Sequence, residues 1–158
     1  MQHELLKNFD IFKNLLIKGQ VFYYKYKFSK NDIGKSRPII ILNNFPPVSE
    51  ETRVFYVVLM GDAEKAYNLR PDETDVIRND ILKYPSAFYL TQIQTGTASI
   101  FHENLINGTL RYEDKLSDSN VNYLDECIDK FLSDESKAKT IPPKMRRAIR
   151  KLINRKQK

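Results

Sequence analysis

The order of hydrophobic patterns along the chain predicts an α+β fold, because a run of strands is followed by a helix. Aromatic residues occupy every second position from Phe22 to Phe28, which is the period of a β-strand. Apolar runs at 38–42, 54–60 and 86–93 are typical of further strands. At 158 residues and 41% hydrophobic content, the chain can bury one core, so we expect a single domain with additions.

Helical spacing of apolar residues lies on both sides of this strand-rich part. Residues 4–17 form an amphipathic pattern that stops at Gly19, a residue type common at helix ends. A second helical pattern covers 121–131, with Ser117 and Ser119 as candidate N-terminal caps. We therefore predict an N-terminal helix before the first strand and another helix after the last one.

The segment between the third and fourth strands is polar and charged. Residues 62–83 are expected to form a long connection with a short helix at 75–82. Farther along, Asn107-Gly108 is a turn signal within the apolar clusters of 100–111.

Positive charge is concentrated at the C-terminal end. Ten of the 26 lysines and arginines lie in 137–158, which contains no acidic residue. Residues 1–136 therefore carry 16 basic and 20 acidic side chains, a net charge of −4. The sequence divides into an N-terminal helix at 1–18, a domain at 19–136 and a basic segment at 137–158.

The basic segment predicts one more helix, which Pro142-Pro143 can open and which runs from Lys144 to about Arg155. Its narrow apolar stripe consists of Met145, Ile149 and Leu152. We expect such a helix to dock loosely on the domain and to be removable. Its charge suits an acidic groove, a nucleic-acid backbone or an anionic membrane surface.

Several classes of function are disfavoured. No stretch reaches the roughly 18 apolar residues that cross a bilayer, and the N-terminus lacks the features of a signal peptide, so we expect a soluble cytoplasmic protein. Cys127 is the single cysteine and lies in a helical apolar pattern, which favours a buried thiol over catalysis. His3 and His102 are far apart and lack metal-ligand spacing, so neither a metal nor a cofactor is expected.

Three motifs in order along 19–132 resemble the MazF/PemK family of toxin ribonucleases. They are Gly19-Gln20-Val21-Phe22 followed by Gly34-Lys35-Ser36-Arg37-Pro38 and a hydrophobic strand, the run from Tyr84 to Thr95 with its Gln92-Ile93 pair, and Ile106 ahead of Gly108 and Leu110. In that family a strand-starting glycine leads to a loop with a Gly-x-x-Arg-Pro signature. Each motif alone is weak, and the resemblance depends on their common order.

The resemblance implies a small, mostly antiparallel, barrel-like sheet of the MazF/PemK (CcdB-like) type, here with an added N-terminal helix and a basic C-terminal helix. It also implies a homodimer that cleaves single-stranded RNA without metal, by attack of the RNA 2′-hydroxyl on the adjacent phosphate. Family toxins are held inactive by an antitoxin protein whose acidic segment covers the RNA groove.

The resemblance assigns site residues by position. Arg37 matches the catalytic arginine, and its guanidinium fork suits two phosphate oxygens. The predicted substrate-binding residues are Lys30, Lys35, Ser36 and Gln92. An arginine paired with a nearby carboxylate is the alternative interpretation of Arg37. Tyr24 and Tyr26 could stack on RNA bases, but their alternation with lysines favours positions in the core.

The chain departs from the family after the third strand. Family members carry a serine or threonine there, whereas this chain has Gly61 followed by Asp62, which adds a negative charge near the phosphate position. Losing one such group costs about 10²- to 10⁴-fold in rate. Three hydroxyls are candidate replacements, although each also suits an ordinary loop or strand role: Ser36, Thr52 and Thr91.

Two functions from different classes follow. The first is a MazF/PemK-like endoribonuclease. The second is a catalytically degenerate module of the same fold that binds a protein partner or nucleic acid, which the missing hydroxyl and the acidic body would suit. Under either function, the basic segment is a candidate nucleic-acid contact.

Overall fold

The computed structural model describes residues 3–26, 34–78, 81–82 and 84–153, which form an α+β fold around an antiparallel sheet. The strands are β1 (Gln20–Tyr26), β2 (Lys35–Ile41), β3 (Arg53–Val58), β4 (Thr74–Ile77), β5 (Ser86–Tyr89), β6 (Gln94–Thr97) and β7 (Leu110–Lys115). Five strands form the main sheet in the order β6-β3-β2-β1-β7, and β4 pairs with β5 in a second sheet. The predicted α+β class with a mostly antiparallel sheet is confirmed.

Seven α-helices surround the sheet in the described part of the chain. They are α1 (His3–Leu6), α2 (Phe9–Phe12), α3 (Ala63–Leu69), α4 (Ala98–Ile106), α5 (Asp118–Ser133), α6 (Glu135–Ala138) and α7 (Pro143–Leu152). Short 3₁₀ turns lie at Lys13–Leu15 and Leu90–Gln92. Ser117 caps α5, and its side chain accepts a hydrogen bond from the Asn120 backbone N–H, as the sequence predicts.

The main sheet is open. β6 and β7 form its two edges and do not pair with each other, so the described strands do not close a barrel. An isolated bridge between Met60 and Ala87 links the end of β3 to β5 and so connects the two sheets. The bonds are reciprocal, because the Met60 N–H donates to the Ala87 carbonyl at 2.8 Å and the Ala87 N–H donates back at 2.9 Å.

Both faces of the main sheet are buried, because alternate residues of each strand point to opposite sides. On the first face, here called the α4 face, Phe22, Ile39 and Ile41 pack with Phe12 of α2 and Phe101 of α4. On the second face, the α7 face, the sheet packs against α5 and α7. The residues there include Val21, Ile40, Phe55, Val57, Leu124, Ile128, Phe131 and Ile149.

The N-terminal amphipathic segment is broken into pieces, so the single helix predicted over residues 4–17 is wrong. Asn8 accepts a hydrogen bond from the Asp10 N–H at 2.9 Å and restarts the helix at Phe9. The pieces still bury Leu6, Phe12 and Leu16. The last piece ends at Leu15 and not at Gly19, which has a φ of 93° in the turn that leads into β1.

The connection after β3 also differs from the prediction. A strand, β4, occupies residues 74–77, where a short helix was predicted, and the helix of this connection is the earlier α3. β4 exists because it pairs with β5, a tertiary contact that the local pattern does not contain. The run at 86–93 is likewise a short strand followed by a 3₁₀ turn.

The basic segment is attached more firmly than the sequence predicts. Ile149 and Ile153 are 1% and 0% exposed and belong to the main core. The Asn44 N–H donates to the Leu152 carbonyl at 2.9 Å, and the buried Lys18 ammonium donates to the Ile153 carbonyl at 2.7 Å and pairs with Asp125. The expected loose docking is therefore wrong for this part of the segment, although Arg155 lies outside the described residues.

Membrane spanning has no support among these elements. None of the helices in the described ranges is both long and apolar enough to cross a bilayer.

Ile149→Ala should lower the free energy of unfolding by about 2 to 5 kcal/mol, because it leaves a cavity in the main core. Arg150→Ala is the matched control, since this neighbour on α7 is exposed. Urea denaturation of both variants provides the measurement. Equal, small effects of the two substitutions would mean that α7 does not belong to the core.

Candidate functional site

Arg37 lies near the start of β2, the central strand of the main sheet, between β1 and β3. It is paired in register with Tyr24 of β1, and alternation along β2 assigns it to the α4 face with Ile39. The Leu59 N–H donates to the Pro38 carbonyl at 2.8 Å, which extends the β2–β3 ladder by one residue. Arg37 and Gly61 therefore lie at the same end of the sheet.

Tyr24 is a core residue on the α4 face. Its ring packs against Tyr56 and Phe101 with centroid separations of 6.1 and 5.7 Å. Its hydroxyl accepts a hydrogen bond from the Asn104 amide at 2.7 Å. Burial raises the pKa of Tyr24, and the bond from Asn104 partly offsets this rise. The core interpretation of Tyr24 is confirmed, whereas the side chain of Tyr26 lies outside the described parts of the structure.

The space beside Gly61 is occupied by the side chain of Tyr84. A Cβ built on Gly61 would lie 2.9 Å from Cε2 and 3.2 Å from the hydroxyl oxygen of Tyr84. The ring of Tyr84, 50% exposed, thus occupies the space that a side chain at 61 would take. Gly61 does not have a positive φ, so a larger residue there would meet the Tyr84 ring and not a backbone restriction.

Asp62 has a structural role next to Gly61. It is the N-cap of α3, and its carboxylate accepts a hydrogen bond from the Lys65 N–H at 2.9 Å. This bond fixes the carboxylate at the first turn of α3. A negative charge therefore stays near the end of β3, as the sequence implies.

The hydroxyls predicted as replacements lie in three different places. Thr52 is in a turn with Ser49, their oxygens 3.2 Å apart, just before β3 and hence at the opposite end of that strand from Gly61. Ser36 is exposed and adjoins Arg37, but it alternates to the other face. The Thr91 hydroxyl is buried without a hydrogen-bond partner in the described structure.

The predicted substrate-binding residues are only partly brought together. Lys35 is exposed at the start of β2 near Arg37, whereas Lys30 lies outside the described residues. Gln92 borders a cleft with Pro142 and Met145 on the α7 side. When the Gln92 side-chain amide is turned with its oxygen toward Arg70, that oxygen accepts a hydrogen bond from the Arg70 guanidinium at 2.8 Å. The structure thus places Gln92 on the opposite side of the sheet from Arg37.

His102 is a packing residue. Its ring lies 5.5 Å from the Phe9 ring and 5.1 Å from the Phe12 ring, and Nε2 lies 3.0 Å from the Leu6 carbonyl oxygen. Among the described residues, no group of three or more histidine, cysteine, aspartate or glutamate side chains could hold a metal ion.

A polar cluster that the sequence does not reveal lies between β4 and α5. Asp75 of β4, Cys127 of α5 and Tyr123 are close enough to influence one another's pKa values. The two residues Asp75 and Cys127 line a cleft of about 290 Å³ with Thr91, Lys130 and Lys137. Only the pairing of β4 with β5 brings Asp75 here, so no local motif could have identified the cluster.

The surroundings of Cys127 determine the protonation of its thiol. Burial, followed by the negative charge of Asp75, raises the pKa of Cys127 to about 12. Burial is also the main cause that raises the pKa of Tyr123 to about 12. Both groups are therefore protonated at neutral pH. The predicted burial of Cys127 is confirmed.

Asp75→Asn should stabilise the fold at pH 7. Burial raises the pKa of Asp75 above its ordinary value of 3.8. The folded state therefore becomes less stable as the pH rises from the ordinary pKa to the raised pKa of the folded protein. Asparagine does not ionise. The gain over wild type should shrink below about pH 4.

Thermal melts at several pH values test this expectation, with exposed Asp72→Asn on the cleft rim as the control. A destabilising effect of Asp75→Asn at pH 7, as large as at pH 3, would contradict it.

Comparison with known proteins gives no family for this chain. No protein-family model matches the sequence, and no curated protein matches it either. Two groups lie at this end of the sheet: Arg37, on the α4 face, and the Tyr84 hydroxyl beside Gly61, which is a neighbour of Tyr23 on the α7 face.

Proposed function

We propose that this chain is a MazF/PemK-like endoribonuclease that cleaves single-stranded RNA, with Arg37 and Tyr84 as its catalytic residues. The finer assignment to the MazF/PemK (CcdB-like) fold is part of the proposal. The order of elements supports it, since the Gly34-to-Pro38 motif opens β2, the run from Tyr84 covers β5 and β6, and α5 follows β7. An open antiparallel sheet is compatible with a barrel-like relative.

One observation carries the proposal: a hydroxyl stands at the position where the family's hydroxyl is missing. The Tyr84 oxygen lies 3.2 Å from the Cβ position of residue 61. The Leu59–Pro38 hydrogen bond ties this end of β3 to the strand that carries Arg37. Arg37 belongs to the α4 face and Tyr84 neighbours Tyr23 of the α7 face, so a phosphate that contacts both would bind across the open end of β2 and β3. A cation and a hydroxyl are the groups that a crowded phosphate needs.

The reaction forms a bond from the RNA 2′-oxygen to the adjacent phosphorus and breaks the bond from phosphorus to the 5′-oxygen of the next nucleotide. Arg37 binds the non-bridging oxygens and neutralises their charge. Tyr84 gives its hydroxyl proton to the departing 5′-oxygen and regains one from solvent, while the 2′ proton passes to water. The products are a 2′,3′-cyclic phosphate and a 5′-hydroxyl.

The proposal extends to partners and location. We expect a cytoplasmic homodimer whose RNA groove is covered by an antitoxin protein. Because residues 1–136 carry a net charge of −4, an acidic antitoxin segment would be attracted to local basic residues such as Lys35 and Arg37, not to the body as a whole.

A second candidate is a module that keeps the fold but not the chemistry. Gly61 has no side-chain group, and the Asp62 carboxylate is fixed beside the sheet end, where it opposes a bound phosphate. This candidate predicts RNA or protein binding without cleavage, so a cleavage assay on the unmodified chain separates the two.

Arg37→Ala should reduce RNA cleavage at least about 10²-fold, because it removes the guanidinium that binds and neutralises the phosphate oxygens. Arg53→Ala is the control, since Arg53 is exposed and begins β3 at the end opposite Gly61. Digestion of labelled RNA, alongside a thermal melt of each variant, measures the effect. Undiminished cleavage by a folded Arg37→Ala protein would exclude this site.

Tyr84→Phe should lower the cleavage rate by about 10²- to 10⁴-fold with little change in stability, because it removes only the hydroxyl. Tyr67→Phe is the matched control, since Tyr67 is similarly exposed on α3. In a Tyr84→Ala background, Gly61→Ser should restore part of the activity, because the ring no longer occupies the space at Cβ. Full activity of Tyr84→Phe would remove Tyr84 from the mechanism.

A further inference from the structure

The outward side of α7 carries a continuous basic surface. Lys144, Arg147, Arg150 and Lys151 are all exposed. The opposite side of the same helix is buried in the main core through Ile149, with Met145 and Leu152 packed partly against it. These four side chains, here called the α7 basic surface, thus face away from the domain.

Helical geometry aligns the charges. With 3.6 residues per turn, Lys144, Arg147 and Lys151 fall on one line along the helix, about 10 Å long, and Arg150 lies beside it. None of the four forms an ion pair with an acidic side chain in the ranges that the structure describes. Their charge is therefore available to an external anion.

The helix is held rigidly at its C-terminal end. The hydrogen bonds from Asn44 and Lys18 to the carbonyls of Leu152 and Ile153 fix it against the sheet. A fixed helix presents its charges without an ordering cost for the backbone on binding. The surface also lies on the α7 side of the sheet, whereas alternation assigns Arg37 to the α4 face.

The chemistry of the surface selects among anionic partners. A helix that binds a membrane surface inserts its apolar side into lipid, but the apolar side of α7 is already in the protein core. Protein interfaces usually centre on aromatic or aliphatic anchors, and residues 139–153 contain no aromatic side chain. What remains is charge at regular spacing, which suits the phosphates of a nucleic acid.

We infer that the α7 basic surface binds the phosphate backbone of a nucleic acid without reading its bases. The surface offers no aromatic side chain for stacking on bases, and the charges of its lysines and arginines act on phosphates whatever the base sequence. Binding should then depend strongly on salt and weakly on sequence. The inference does not depend on RNA cleavage, since it concerns a surface apart from Arg37.

The test measures how the affinity for a labelled single-stranded DNA of mixed sequence changes with salt concentration, by fluorescence anisotropy. DNA lacks the 2′-hydroxyl, so the proposed cleavage cannot interfere. The variant combines Lys144→Gln, Arg147→Gln and Lys151→Gln. The control combines Lys7→Gln, Arg53→Gln and Lys115→Gln, which removes the same charge from exposed residues on other elements.

The α7 triple variant should reduce the slope of log affinity against log salt by about 2, since each lost single-strand phosphate contact contributes about 0.7. The control should leave the slope close to wild type, and both proteins should melt like wild type. Equal slopes for the two triple variants would overturn the inference, as would undetectable DNA binding by wild type. Competition by poly-glutamate as strong as by DNA of equal charge would also overturn it and would favour an acidic protein partner.

Discussion

The burial of both faces of the five-stranded sheet is the constraint on which the rest of the structure depends. Ile39, Ile40 and Ile41 are consecutive on the central strand, and all three are fully buried, although they point alternately to the two faces. Such burial requires a helical layer on each side. The N-terminal helices and α4 supply one layer, and α5 and α7 supply the other. The basic segment is thus needed to complete the core.

Because helices cover both faces of the main sheet, polar side chains of its strands reach solvent at the strand ends. Arg37 and Gly61 lie at such an end, where β2 begins and β3 has just finished. Tyr84 arrives there from the chain that precedes β5, and the Met60–Ala87 bridge fixes its path. The charged side of α7 is another polar surface that this layering exposes, and it lies on the opposite side of the sheet from Arg37.

Much of the fold can be predicted from the sequence because local patterns determine it. The alternation in β1, the apolar runs of β2 and β3, the Ser117 cap and the proline start of α7 each act within a few residues. β4 and the docking of Ile149 could not be predicted, since both depend on partners far along the chain. Arg37 is identified by its motif, whereas Tyr84 emerges only from its distance to residue 61.

The most direct test of the central claim is a crystal structure of the chain with a single-stranded oligonucleotide in which one 2′-hydroxyl is replaced by hydrogen, so that cleavage is blocked. We expect one phosphate within hydrogen-bond distance of both the Arg37 guanidinium and the Tyr84 hydroxyl, at the end of β2 and β3. An oligonucleotide bound elsewhere, with Arg37 paired to a carboxylate of the protein, would contradict it.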